Sequence, residues 1–271
     1  MASIISPFDL HKDEIIEKYK SGISQRKICE EYGICRNTLK KRLSTYNIPI
    51  RSIQEVNVSK SINVNFFDNI DTEEKAYILG FSYADGTICP NRKKKTSYIY
   101  SLSIKYDDKY LLEQMLHAMN STHNIQEIKA TDGNYGTGIQ CHVNITCKQI
   151  HNKLEKLGML DKKHIPDIPK HLIHHFIRGV FDGDGCVSIS NRGDIEMYIM
   201  GEESFLQEVN NYIYFNEPKF YNNIYKARKS GRLNAIRFYE YIYKDATIFL
   251  KRKKEIFNAV YGKDSQNSID D

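Results

Sequence analysis

The stretch YILGFSYADG, residues 77–86, recurs in altered form as FIRGVFDGDG at residues 176–185. Each copy is an apolar helical run with two small residues one turn apart, and each run ends at Asp-Gly. Small residues four positions apart share one helix face and let a second backbone come close. The repeat therefore predicts that two helices pack on each other through Gly80 and Ala84 on one side and Gly179 and Gly183 on the other.

The acid that closes each run has an unfavourable predicted position. A glycine after each acid predicts a left-handed helix stop, which puts Asp85 and Asp184 at the C-terminal ends of two adjacent helices. Two carboxylates there would face each other and the negative ends of both helix dipoles. Mg²⁺, or Mn²⁺ in its place, would offset that cost, because such ions combine few carboxylates with phosphate oxygens. The pair indicates phosphodiester hydrolysis, whereas a single Asp-Gly would indicate only a helix end.

Both stretches resemble the signature of the LAGLIDADG homing endonucleases in their double-motif, single-chain form. The resemblance covers residues 66–262 and is carried by Gly80, Ala84, Asp85 and Gly86 and by Gly179, Asp182, Gly183, Asp184 and Gly185. Tyr83 departs from it, because the signature has its first acid there. The second acid, which binds metal in the family, is present in both copies. The resemblance implies a monomeric, site-specific endonuclease that makes a metal-dependent double-strand break at a long asymmetric site in double-stranded DNA.

The resemblance also implies catalytic roles for three lysines. By motif register, Lys148 and Lys244 match the active-site lysine of the family, and each is expected to open the last helix of its half. Lys105 matches a residue that positions water, and its partner position in the second half is Ile199. Because one half has a lysine and the other an apolar residue at this position, the sequence predicts two unequal half-sites.

Composition sets broad bounds on the function. The chain has 271 residues, a formal net charge of +5 and six cysteines without a CxxC pair. That length suits a small module plus a larger domain, and the modest excess of base only weakly indicates an acidic partner. The free thiols, together with the lack of an apolar leader or of an apolar run near the ~18 residues of a membrane span, lead us to expect a cytoplasmic protein without membrane contact.

Periodicity and turn signals predict the domain organisation. We expect an α+β fold of two pseudo-symmetric αββαββα halves, residues 66–168 and 169–262, that form a β-saddle. A helix-turn-helix domain at residues 1–48 and a linker at 49–65 precede them, and a polar tail at 263–271 follows. In the second half, strand patterns cover 218–228 and 233–243, and a helix follows Lys244.

The N-terminal module has the outline of a helix-turn-helix. Ser24 predicts a helix start, Gly33 predicts a turn, and the third helix is basic. This outline resembles the small helix-turn-helix domains of recombinases and transposases. The residues expected to enter the major groove are Arg36, Asn37, Thr38, Lys40 and Lys41. The alternative is a plain three-helix bundle with a solvated basic face.

Polar side chains on the strands are the other candidate DNA contacts, because a two-stranded ribbon fits the DNA major groove. In the first half they are Arg92, Ser101, Ser103, Lys105, Lys129, Gln140, His142 and Asn144. In the second half they are Arg192, Lys226, Arg228, Arg232 and Arg237. The basic run at residues 251–254 instead predicts a solvated helix face.

Two other functions remain open at this point. A non-catalytic DNA-binding regulator could use the same scaffold, although the scaffold alone does not require both aspartates. An RNA-splicing maturase, a role known in the same family, is compatible with a basic saddle. An intein is disfavoured, since no His-Asn splice end closes the sequence.

Overall fold

The computed structural model describes residues 6–21, 23–50, 61–90, 98–129, 138–191 and 193–267. These residues form two compact units, one from residue 6 to 50 and the other from residue 61 onward. Arg92 and Arg192, two of the predicted DNA contacts, lie outside the described residues. No helix in the described ranges is both long enough and apolar enough to span a membrane.

The first unit consists of four helices, α1 Pro7–Leu10, α2 Lys12–Lys20, α3 Gln25–Tyr32 and α4 Arg36–Thr45. The Ser24 side chain caps α3, and Gly33 ends that helix in the left-handed region with φ 61°. Ile28 and Leu39 are fully buried between the helices. The three predicted helices are confirmed, and α1 is an addition within a segment that the sequence did not assign to a helix.

The second unit contains two halves with the same order of elements. The first half is α5 Glu73–Asp85, β1 Gly86–Pro90, β2 Tyr98–Lys105, α6 Lys109–Ala118, β3 Gln126–Lys129, β4 Ile139–Thr146 and α7 Lys148–Lys156. The second is α8 Ile173–Asp184, β5 Gly185–Ile189, β6 Ile195–Gly201, α9 Glu203–Ile213, β7 Lys219–Tyr221, β8 Ile224–Ser230 and α10 Arg232–Tyr243. A further helix, α11 Lys251–Asn267, ends the described chain. The sheets are antiparallel, with matching orders β1-β2-β4-β3 and β5-β6-β8-β7, so the predicted α+β fold is confirmed.

The signature helices α5 and α8 pack directly on each other. A Cβ atom on Gly80 would lie 2.0 Å from the carbonyl oxygen of Phe176, and one on Gly179 would lie 2.2 Å from that of Tyr77. Any side chain larger than hydrogen would therefore push the two backbones apart. The predicted helix pair is confirmed, and its glycines are required by the close approach.

Two details of these helix ends differ from the prediction. Gly86 and Gly185 have φ −88° and extended backbones, so they begin strands and do not form left-handed stops. A Cβ atom on Gly86 would lie 2.5 Å from the Ser82 carbonyl oxygen, which explains why glycine stands there. At the start of α5, the sequence Asp71-Thr72-Glu73-Glu74 predicts an aspartate cap, but the side chain that caps the helix is that of Thr72.

The end of the second half was assigned wrongly from the sequence. Residues 232–243 form helix α10, where a strand was expected over 233–243. Ala235, Phe238 and Ile242 are buried at helical spacing, although the abundance of aromatic and β-branched residues favours a strand. Lys244 therefore follows α10 and does not open the last helix of its half. Helix α11 also continues to Asn267, into the predicted polar tail.

Candidate active site and nucleic-acid interface

Asp85 and Asp184 end the two signature helices on the same side of the helix pair. The α8 backbone passes close to Asp85, since a Cβ atom on Gly183 would lie 3.2 Å from the Asp85 Oδ2 atom. Asp85 is exposed and Asp184 is half-buried, so both carboxylates keep an open side. Among the described residues, neither carboxylate accepts a hydrogen bond or has a cation within 4.0 Å.

The surroundings of these two acids favour their neutral form. Crowding by protein atoms raises the pKa of Asp184 to about 6, and the neighbouring charge of Asp85 adds to this effect. Loss of hydration beside the surrounding protein atoms also raises the pKa of Asp85, although its side chain keeps an exposed side, and the positive charges of Lys253, Lys162 and Arg252 oppose this effect. The repulsion between the two acids that the sequence predicts contributes at Asp184, but loss of hydration is the larger cause, and the sequence did not indicate the three nearby cations.

Lys253 holds the end of helix α8. Its side chain is 4% exposed, and its Nζ atom donates to the carbonyl oxygens of Phe181 at 2.6 Å and Asp182 at 2.8 Å and also to that of Gly185. These carbonyls carry the negative end of the helix dipole, which a cation offsets. Burial lowers the pKa of Lys253 to about 8. The prediction of a solvated face for residues 251–254 is therefore wrong at Lys253.

Lys162 is the corresponding cation of the first half. Its Nζ atom donates one long hydrogen bond, 3.4 Å, to the carbonyl oxygen of Ala84 near the end of α5. The lysine has φ 49°, an unusual value for a residue with a side chain. Burial lowers its pKa, and the charges of Asp184 and Asp85 oppose that shift. Together with Asp184, Lys162 lines a cavity of 380 Å³.

The residue two positions before each acid anchors the segment that supplies the lysine. In the first half, the Tyr83 hydroxyl donates to the carbonyl oxygen of Leu157, upstream of Lys162. In the second half, the fully buried Asp182 accepts a hydrogen bond from the Leu250 amide at 2.7 Å, just before Lys253. Tyr83 therefore replaces the missing acid of the signature as an anchor.

A buried polar network surrounds Asp182 on one side of the helix pair. The hydroxyls of Tyr77 and Tyr243 donate to its carboxylate at 2.7 and 2.5 Å. One turn earlier, Arg178 is fully buried and donates to Glu73 on α5 at 2.6 Å and to the Ile248 carbonyl at 3.0 Å. This network ties both signature helices to the segment between α10 and α11.

The structure places Lys148 away from the two acids. The Nζ atom of Lys148 lies 5.9 Å from the ring centroid of Tyr98, which pairs with Pro90 at the far end of β1. That end is about 13 Å along the strand from Gly86, at about 3.3 Å per residue. Since β8 ends at Ser230 and Gly231 follows, the counterpart of Lys148 is Arg232. The prediction that each lysine opens the last helix of its half is therefore confirmed for Lys148, which lies far from Gly86, and wrong for Lys244, which follows α10.

The sheet register also corrects which residue of the second half is equivalent to Lys105. Gly86 pairs with Leu102 in the first sheet and Gly185 with Ile199 in the second, so Ile199 corresponds to Leu102. Lys105 therefore corresponds to Glu202, whereas Ile199 is fully buried. Glu202 lines the same 380 Å³ cavity as Asp184 and Lys162. The two halves differ at this position by a full reversal of charge.

Comparisons with known proteins agree with this architecture. No protein-family model and no curated protein matches the sequence. Solved structures do match: that of the I-LtrWI LAGLIDADG homing endonuclease bound to target DNA aligns with a TM-score of 0.50 and 11% identity, over 75% of this chain and 92% of that one. The homing endonuclease I-WcaI bound to its DNA recognition sequence aligns with a TM-score of 0.50 and 14% identity, over 70% of this chain and 90% of that one. This chain has the LAGLIDADG homing-endonuclease fold.

Within the LAGLIDADG fold, the outer face of the first sheet carries most of the predicted polar set. Ser101, Ser103 and Lys105 lie opposite Asn144, His142 and Gln140 and point away from the core. The Ser101 hydroxyl bonds the Asn144 side chain at 2.6 Å, and Ser103 bonds His142 at 2.6 Å. Lys129 is the exception, because it pairs with Ile139 and lies on the opposite face.

The outer face of the second sheet is charged and aromatic. Lys226 lies between two rings, with its Nζ atom 4.8 Å from the Tyr198 centroid and 4.7 Å from the Tyr221 centroid. Arg228 follows on the same face and bonds Glu196. Arg237, which was predicted to lie on this face, is exposed on helix α10 instead. Only Lys226 and Arg228 of the described second-half set therefore lie on the sheet.

The basic helix of the first unit is α4. Four of the five residues predicted to enter the major groove, Arg36, Asn37, Lys40 and Lys41, are exposed, and Thr38 is half-buried. The Thr38 amide donates to the Cys35 sulfur at the start of the helix. These residues remain candidate DNA contacts.

The two acids of the LAGLIDADG fold suit a hard divalent cation with few protein ligands. The described residues contain no cluster of three or more His, Cys, Asp or Glu side chains that could hold a metal ion. Two carboxylates without a cation partner supply part of an oxygen shell and leave the rest to water or phosphate, which is how Mg²⁺ is usually bound. The donor set at Asp85 and Asp184 therefore fits Mg²⁺ or Mn²⁺.

Proposed function

We propose that this protein is a site-specific DNA endonuclease that cuts both strands by metal-dependent phosphodiester hydrolysis. The observation that carries the proposal is the pair of solvent-facing carboxylates, Asp85 and Asp184, at the ends of two packed helices. Their raised pKa values indicate that folding disfavours the ionised form of both acids, and the packing of the two helices does not require acids at these positions. The related fold of two homing endonucleases bound to DNA supports the same reaction.

Asp85 and Asp184 would hold Mg²⁺ or Mn²⁺ in this enzyme. Such an ion, when bound, activates water and stabilises the leaving oxygen of a phosphodiester. Both acids must be ionised for that role, so the pKa of Asp184, about 6, predicts that activity is lost as the pH falls through 6. The positive charges of Lys253 and Lys162 stabilise the two ionised carboxylates in the free protein.

The two lysines would have different tasks. Lys253 donates hydrogen bonds to four carbonyl groups, those of Phe181, Asp182, Gly183 and Gly185, and so fixes the end of α8 beside Asp184. Within the described part of the chain, Lys162 makes a single long hydrogen bond and lines the cavity beside Asp184, so its ammonium group is available to a phosphate oxygen. We therefore propose that Lys162 contacts the cleaved phosphate and that Lys253 positions the acid.

The DNA target would be long and asymmetric. The outer faces of the two sheets carry different side chains, so a single chain would recognise two unlike half-sites without a partner copy. Lys105 in one half and Glu202 in the other make the surroundings of the two cuts unequal. Exposed Arg36, Asn37, Lys40 and Lys41 on α4 would add contacts beyond the LAGLIDADG domain.

A cleavage assay tests the proposal. The substrate is the DNA around the chain's own coding locus, joined as the insertion site without the gene, and it is incubated in Mg²⁺ or in chelator. We expect cutting at one position in Mg²⁺ and none in chelator. Tight binding that is insensitive to chelator, without any cutting in Mg²⁺, would contradict the endonuclease and support a DNA-binding regulator.

A further inference from the structure

The two sheets correspond residue by residue through their pairing registers. The matching triplets are Gly86–Leu102–Val143 in the first sheet and Gly185–Ile199–Ala227 in the second. Asn144 and Arg228 come directly after the last residue of each triplet. They therefore occupy the same place on the two outer faces, Asn144 opposite Ser101 and Arg228 opposite Tyr198.

Asn144 is held in one orientation by its cross-strand neighbour. The Ser101 hydroxyl donates to the Asn144 Oδ1 atom at 2.6 Å, and the side chain is exposed. No other described residue bonds this side chain, so both amide N–H donors and the second lone pair of Oδ1 are available for a partner. A donor and an acceptor side by side match the N7 and N6 atoms of adenine in the major groove.

Arg228 is also held in place by a neighbouring side chain, but the hydrogen-bonding groups that it can offer to DNA are different. Its Nε atom donates to the Glu196 Oε1 atom at 2.9 Å, while the two side chains are 51% and 38% exposed. A half-exposed ion pair contributes little to stability, so its main effect is to fix the guanidinium plane. Among the described residues the Nη1 and Nη2 atoms have no partner, and two parallel donors match the O6 and N7 atoms of guanine.

A phosphate contact is the simpler role for an arginine, and two features argue against it. Arg228 lies on β8, an inner strand of the sheet, where a ribbon in the major groove faces the base edges. Its partner Glu196 places a negative charge beside the guanidinium, which repels an anionic phosphate more strongly than the uncharged edge of a base.

We propose that Asn144 recognises adenine and Arg228 recognises guanine at symmetry-related positions of the DNA target. This inference rests on the proposed function and specifies the substrate of that function. The two residues would break the two-fold symmetry of the site at one pair of positions. Each bidentate contact is expected to favour its base by about 5- to 150-fold.

Selection from a library of long randomised duplexes tests the inference. The full chain binds the library in chelator, and the bound DNA is sequenced. We expect an A·T preference in one half of the selected site and a G·C preference at the symmetry-related position. Arg228→Asn should change the second preference to A·T, and Asn144→Arg should change the first to G·C. Arg228→Lys, which keeps the charge without the planar fork, should lower the G·C preference and retain binding.

Control variants separate base recognition from a general loss of binding. Lys229→Asn changes a neighbour on the other face of the same strand and should leave every preference unchanged. Glu196→Gln should weaken the G·C preference at that one position. If the parent chain selects no DNA, the proposed function and this inference both fail. If it selects a site whose preferences persist in Arg228→Asn and Asn144→Arg, the inference alone is wrong.

Discussion

Substituting Gly80 by alanine would test whether the close packing of α5 on α8 supports the site. The added Cβ atom would lie 2.0 Å from the carbonyl oxygen of Phe176 and 2.8 Å from its carbonyl carbon. Ordinary contacts lie near 3.5 Å, so the helices would have to separate by about 1.5 Å. The neighbouring atoms are backbone, and they cannot turn aside as the end of a side chain can.

The expected magnitude follows from two opposing effects. Overpacking a core typically costs about 1–3 kcal/mol, and contact with backbone places Gly80→Ala at the upper end of that range. The higher helix propensity of alanine returns up to about 1 kcal/mol. We therefore expect a net loss of about 2 kcal/mol in the free energy of unfolding. Cleavage should fall further, because Asp85 ends the helix that moves.

Urea denaturation and DNA cleavage, measured on the same preparations, provide the assay. Gly138→Ala is the control, since a Cβ atom there would meet no atom of the described residues within 4 Å. The control should keep the stability and the activity of the parent. If Gly80→Ala unfolds at the same urea concentration as the parent with an unchanged slope, the reasoning about the helix contact is refuted.

Three further substitutions test the electrostatics of the site. Asp184→Asn should raise the Tm at pH 8 by about 2–4 °C, the shift expected for ~1 kcal/mol, with no gain near pH 4. The Tm should rise because a pKa raised from 3.8 to about 6 means that the ionised Asp184 destabilises the folded state. This destabilisation is complete only above the folded pKa, and a neutral asparagine removes it. Lys253→Met should lower the free energy of unfolding in urea by about 3–5 kcal/mol, because the buried carbonyl groups that Lys253 bonds would be left unpaired. The control Lys251→Met replaces an exposed lysine of the same helix and should cost less than ~1 kcal/mol. Lys162→Met should retain DNA affinity and lower the single-turnover cleavage rate by about 10²-fold or more. A Tm gain that is independent of pH, equal losses for the two α11 variants, or an unchanged cleavage rate would contradict the respective argument.

The features that the sequence predicted well are those with a local pattern. The two copies of the signature contain their own helical periodicity and their own small residues, so the pairing of α5 with α8 followed directly. The strict alternation around Leu102 and Val143 identified the inner strands and the polar outer face. These patterns need no knowledge of how distant segments meet.

The errors in secondary structure have a physical cause. Residues 233–243 combine aromatic and β-branched side chains that favour strands, while the burial of Ala235, Phe238 and Ile242 follows a helical period. Propensity and periodicity conflicted, and tertiary packing decided in favour of the helix. The wrong strand then displaced Lys244 and Arg237 from their predicted places.

The cations beside the acids could not be found from the local pattern. Lys253 lies in a basic run that is typical of a solvated face, and its burial depends on the packing of α11 against β5 and α8. Lys162 lies in a connector with no regular periodicity. Both lysines follow the last helix of the αββαββα order in their half, and a comparison of the two repeats at that place would have indicated them.

The most direct test of the central claim is the cleavage of the insertion-site DNA by Asp85→Asn and Asp184→Asn variants. Binding is measured in chelator, and cleavage is measured in Mg²⁺ on the same DNA. We predict that each variant binds as tightly as the parent and makes no double-strand break. Double-strand cleavage at the parental rate by either variant would contradict the assignment of these two acids as the metal-binding site.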